Sequence, residues 1–234
     1  MKHLFNRETA GKSLILSEVC VITALPYLYY MYFISMRKLI LKTFLPEHLP
    51  YLMMFDVWYI FIATFLCGLC GFAWSKTYGL VGFGSFSDIK HNWLKLLIIG
   101  ILIAVVSCLF FDRSFRAMAP YYYRKNPVCA LFMPLNSAIF IETIRFGMVS
   151  LVQRLIKNSH FANFSIAFFF AIAGLKSFSF VGVNFDWTFV ALTCFILTML
   201  LNVTYGYIFI KKGVVCALFV HFVADLKFLV LAFV

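Results

Sequence analysis

The 234-residue chain is 64% hydrophobic, contains 30 Phe and 12 Tyr, and has only 12% charged residues with a formal charge of +11. A soluble domain of this length needs more polar surface, so the composition excludes one and calls for a lipid environment. The 20 Lys and Arg lie mostly between apolar runs, near Arg37, Lys76, Arg113, Arg124, Arg154 and Lys211, a pattern that suits anionic headgroups and argues against nucleic acid.

A membrane-spanning helix takes roughly 20 apolar residues. By hydropathy and length, about seven helices follow in chain order, at Ser13–Ile34, Tyr51–Trp74, Trp93–Phe111, Val128–Val152, Phe161–Leu175, Trp187–Ile210 and Gly213–Val234. Residues Met1 to Lys12 are mixed and polar, and the run after them holds Glu18, Pro26 and many aromatics, so it reads as a span that stays and not as a cleaved leader. The stretch Lys76–Lys90 contains Gly79, Gly82 and Gly84 and reads as an interfacial loop or a short re-entrant piece. Segment Asp112–Asn126 carries Arg113, Arg116, Arg124 and Lys125 beside three consecutive tyrosines, an interfacial segment with an aromatic belt. The fifth helix is short, with a half-span, a tilt or a continuation over Lys176–Val183 as the alternatives, and Lys176 reads as its end. Only Lys211-Lys212-Gly213 separates the last two helices, which makes them an antiparallel hairpin. Lys and Arg divide almost evenly between the two sides, so charge does not fix the orientation. The expected architecture is an all-α polytopic transmembrane bundle, one integral membrane domain over 1–234.

Polar residues inside the apolar runs carry the functional information. The seven cysteines lie almost all within such runs and read as small hydrophobes, with no disulfide framework. Cys67 and Cys70 have redox-pair spacing without polar context. Glu18 and Asp56 are read as pairing with each other or reaching the interface. Lys227 has a stem long enough to snorkel.

Glu142 and Arg145 stand one helical turn apart, and so do His221 and Asp225. Ionisable groups in hydrocarbon cost several kcal/mol and face a bundle interior, where they find partners. The first pair is either an ion pair tying helices together or a general base held by a guanidinium. The second is either a satisfied internal pair or a hydrogen-bonding or metal-ligating arrangement. All four are expected to converge on one cavity. A catalytic zinc takes three protein ligands and an open position. Glu142, His221 and Asp225 are a thin set for it, and no metal or other cofactor is read from the chain.

The constellation resembles the CPBP family of intramembrane proteases, which includes the type II CAAX prenyl endopeptidases and the bacteriocin-processing and immunity proteins. That family shows E-E-x-x-x-R-G, then F-x-x-x-H, then H-x-x-x-N or H-x-x-x-D in a late helix. Ile141-Glu142-Thr-Ile-Arg145-Phe146-Gly147 overlays on the first signature, with Glu142 at the second Glu and Gly147 at the Gly. Ile141 then stands at the first Glu, Phe146 at the Arg, and Arg145 one residue early. Phe170-Ala-Ile-Ala-Gly174 falls at the second signature with Gly174 in place of His, and His221-Phe-Val-Ala-Asp225 satisfies the third. The motifs lie between Pro134 and Lys227, in a family-like core of about 76–234. The resemblance implies an endopeptidase in a bacterial cell membrane acting on a membrane-associated peptide or protein, with Glu142 activating water and His221 and Asp225 stabilising the oxyanion. It also implies that position 174 lies beside Glu142. Two other functions stay open: a non-catalytic protein of the same fold with an immunity or regulatory role, and a transporter of a proton or small substrate.

Overall fold

The computed structural model describes residues 6–35, 37–109, 127–180 and 189–229. The described residues are helical almost throughout. Seven long helices run α1 (Arg7–Tyr30), α2 (Leu49–Trp74), α3 (Phe86–Ser107), α4 (Pro127–Ile156), α5 (Ser159–Phe180), α6 (Phe189–Lys212) and α7 (Val214–Asp225). Five of them are long and apolar enough to cross a membrane: α1 with its extension to Ile34, α2 with the turn before it, α3, α4 from Leu131 and α6 from Leu192. Of the about seven spans expected, seven helices are present among the described residues and five have spanning length and apolarity, while α5 contributes a shorter apolar stretch over Ser159–Leu175. The tyrosine-rich segment Asp112–Asn126 lies outside the described residues.

Two helix starts differ from the sequence reading for reasons of capping. Helix α3 begins at Phe86, seven residues before the expected Trp93, because Asp88 accepts a hydrogen bond from Ser85 N–H at 3.0 Å and Ser85 Oγ accepts from Ser87 N–H at 3.2 Å. This capping box satisfies backbone donors that a hydropathy scan does not see. The Gly-rich stretch is thus partly loop and partly helix. Helix α1 starts at Arg7, where Asn6 Oδ1 accepts from Glu8 N–H. Helix α5 continues through Phe180, so Lys176 does not end it.

The turn between α6 and α7 determines how the last helix is seated. Gly213 has φ 88° and Gly84 has φ 80°, both in the region that favours glycine. Their backbones touch, so a Cβ on Gly213 would meet Gly84 Cα at 2.7 Å. Gly82 and Phe83 then offer their carbonyls to Val214 N–H at 3.1 Å and Val215 N–H at 3.0 Å. The open donors at the start of α7 are satisfied by this loop and not by a side chain.

Helix α4 lies at the centre. It packs on α1 and α2 at one side and on α5 and α7 at the other; α3 lies against α7, and α5 against α6. One apolar cluster joins α1, α2 and α4 through Cys20, Ala24, Leu28, Ile60 and Ile139. A second joins α3 to α7, with Phe146 edge-on to Phe72, Phe83 and Phe209. Small residues let backbones approach, as helix association in lipid requires. Gly71 of α2 receives the Phe146 ring, and Gly147 of α4 receives the backbone of Cys67.

One polar expectation resolves differently. Asp56 accepts a hydrogen bond from Tyr32 Oη at 2.6 Å, and Glu18 is not its partner. Lys227 Nζ donates to Ser107 Oγ, the last residue of α3, and lies 5.1 Å from the Phe228 ring.

Candidate functional site

Helix α4 is 30 residues long and contributes both members of the first pair. Glu142 is 1% exposed and Arg145 0%. Their spacing brings Arg145 Nε to 2.9 Å from Glu142 Oε2. Helix α7 projects His221 toward the same carboxylate, and its Nδ1 lies 2.8 Å from Glu142 Oε1. On the far side of the ring, Nε2 lies 3.5 Å from Asp225 Oδ2, ion-pair range for an imidazolium but longer than a hydrogen bond. The two pairs singled out in the sequence therefore form one buried chain, Arg145–Glu142–His221–Asp225, linking α4 to α7.

Two residues of α6 complete the cluster and were not singled out from the sequence. Asn202 takes the guanidinium edge-on, accepting Nη1 on its backbone carbonyl at 2.9 Å and Nη2 on Oδ1 at 2.7 Å. Its own amide donates to Thr198 O at 2.8 Å, which fixes the orientation of the acceptor. One turn along α6, the Tyr205 ring stacks on His221 with centroids 4.4 Å apart and planes 12° from parallel. The Arg145 guanidinium lies 5.0 Å from the Phe170 ring centroid and 5.8 Å from that of Tyr205. An Asn in the middle of an apolar helix was the available signal, since a buried amide needs partners as a charge does.

The guanidinium fork is engaged on three of its nitrogens and flanked by two aromatic faces, an arrangement that a lysine could not reproduce. Each Glu142 oxygen keeps a second lone-pair site beyond the one already used. The arrangement sets an imidazole and a carboxylate in direct contact, the two group types used for general acid–base chemistry.

Comparison with known proteins finds no matching family model, curated protein or solved structure.

At Gly174, a Cβ would meet Thr198 Cγ2 at 3.7 Å and no other heavy atom within 4 Å. Phe170, one turn earlier on α5, reaches the cluster. No group of three His, Cys, Asp or Glu side chains among the described residues is placed to hold a metal ion. The cationic partner of Glu142 here is Arg145.

The room for a methyl at Gly174, in ordinary contact with Thr198 Cγ2, gives a testable outcome. Gly174→Ala should stabilise the fold by up to about 1 kcal/mol, because alanine is the better helix former and nothing obstructs the methyl. Thermal unfolding in detergent would measure it, and a lowered midpoint would mean that the space is not there.

Proposed function

We propose that this chain is a multi-pass integral membrane protein and a hydrolase of the intramembrane-endopeptidase kind, acting on a membrane-associated peptide. The observation that carries this reading is the 2.8 Å contact between His221 Nδ1 and Glu142 Oε1, an acid–base pair joined across 79 residues of sequence and enclosed by apolar helices. Glu142 takes a proton from water as the water oxygen adds to the scissile carbonyl. His221, with Asp225 behind it, stabilises the resulting oxyanion. The C–N bond then breaks, and Glu142 returns its proton to the leaving amine.

The test is cleavage of a panel of membrane-embedded and prenylated peptides by the purified chain in liposomes. Glu142→Gln preserves an acceptor for Arg145 Nε but cannot act as a base, and should lower the rate about 10²–10⁴-fold. Equal rates for the two proteins would remove Glu142 from the chemistry. A second reading, a non-catalytic regulatory protein of this fold, is favoured by the partner that each Glu142 oxygen already has and by the position of Gly174 against Thr198. Absence of cleavage across the whole panel by folded wild-type protein would select it.

A further inference from the structure

Among the described residues, Glu18 is an ionisable side chain within a spanning helix that the bundle does not pair. It is exposed on α1, and no described residue forms a hydrogen bond or ion pair with it. Its depth follows from its neighbours. Cys20, two residues on and facing inward, lies 3.7 Å from Thr143 Oγ1, so this part of α1 is level with Glu142 in α4. Lys12, which pairs with Glu8, is six residues earlier, or about 9 Å along the axis at roughly 1.5 Å per residue. A stem of two methylenes does not span that distance, as the longer Lys and Arg stems do.

The face that carries Glu18 has a regular spacing. Ile15, Glu18, Ile22, Leu25 and Tyr29 follow one another by three and four residues, the seam of a helix that packs lengthwise on another. Ile15 is 63% exposed, Ile22 65%, Leu25 39% and Tyr29 56%. Lipid could cover the apolar members of this stripe. It could not satisfy a carboxylate, which in hydrocarbon requires a donor or a cation.

We infer that the outer face of α1 docks a transmembrane helix of another protein that presents a basic side chain at the level of Glu18. This rests on the bilayer reading of the chain and is independent of any hydrolytic activity. The charge selects the occupant. A second copy docking on the same face would set Glu18 against Glu18, whereas a Lys or Arg helix neutralises the carboxylate. Helix α1 is free to do this because it meets the rest of the bundle through its opposite face, at Ser13, Ser17, Cys20, Ala24 and Leu28.

The probe is a synthetic Leu- and Ala-rich helix of roughly 20 residues carrying one central Lys, compared with the same peptide carrying Leu. Energy transfer from labelled full-length protein in liposomes reports binding. The Lys peptide should bind wild type about tenfold more tightly than the Leu peptide, and Glu18→Leu should abolish the difference. Glu18→Leu places an apolar residue on an exposed apolar face, so its helicity and elution in detergent should match wild type. Equal binding of both peptides to wild type would overturn the inference. So would self-association of the chain that depends on Glu18 without any preference for the basic peptide.

Discussion

Arg145→Met should destabilise the protein by about 3–5 kcal/mol, the usual cost of removing one partner from a buried ion pair. The substitution leaves Glu142 without its cation, and it strands two acceptors of Asn202 that now take Nη1 and Nη2. Methionine fills much of the same volume, so the loss is electrostatic and not a cavity effect. Arg145→Lys should fall between Met and wild type, because an ammonium keeps the charge but cannot donate in a fork to Asn202 or lie flat between Phe170 and Tyr205. The decisive comparison is the double variant Glu142→Gln/Arg145→Met. With both charges gone, much of the stability should return, since what is costly is the unpaired charge. Denaturant unfolding in mixed micelles would measure all four proteins. If the double variant proves as unstable as Arg145→Met alone, the pair is not the unit that holds α4, α6 and α7 together.

Gly147→Leu should be comparably damaging through packing. A Cβ at this position would stand 2.5 Å from Cys67 Cβ and 2.5 Å from Cys67 O. The obstruction includes backbone, so a rotamer change cannot relieve it and α2 must move away from α4. Overpacking of this kind costs about 1–3 kcal/mol and more where backbone must shift. The same movement would withdraw Phe146 from Gly71 and loosen its edge-on contacts with Phe72, Phe83 and Phe209. Glu142 and Arg145 are carried on the same helix one turn away, so the site should loosen with it. Gly147→Leu is therefore expected to lower the unfolding midpoint and to diminish any cleavage that depends on Glu142. Wild-type stability in this variant would show that α2 and α4 do not meet so closely.

The contrast between Gly147 and Gly174 shows how far sequence reading reaches. Both fall at motif positions of the resemblance, and both are single glycines in apolar runs. One is pressed against the backbone of a neighbouring helix and the other leaves room for a Cβ in ordinary contact with Thr198. Nothing local distinguishes them, because the difference lies in what the opposing helix presents.

What the sequence by itself determined is whatever depends on neighbours along the chain. Apolar runs of spanning length specify helices, because a backbone in lipid must satisfy its own hydrogen bonds. Helical spacing puts Glu142 with Arg145 and His221 with Asp225 on common faces. The cost of stranding charge in hydrocarbon says that those faces turn inward. Tertiary structure alone decided which inward faces meet. It joined His221 to Glu142, brought Asn202 and Tyr205 of α6 to complete the cluster, gave Asp56 to Tyr32, and left Glu18 outside. Lipid is as apolar as the helix sides, so burial of apolar surface does not choose helix partners in a bilayer. Shape at small residues and the pairing of buried polar groups make that choice, and both are properties of two surfaces in contact, which a single stretch of sequence does not contain.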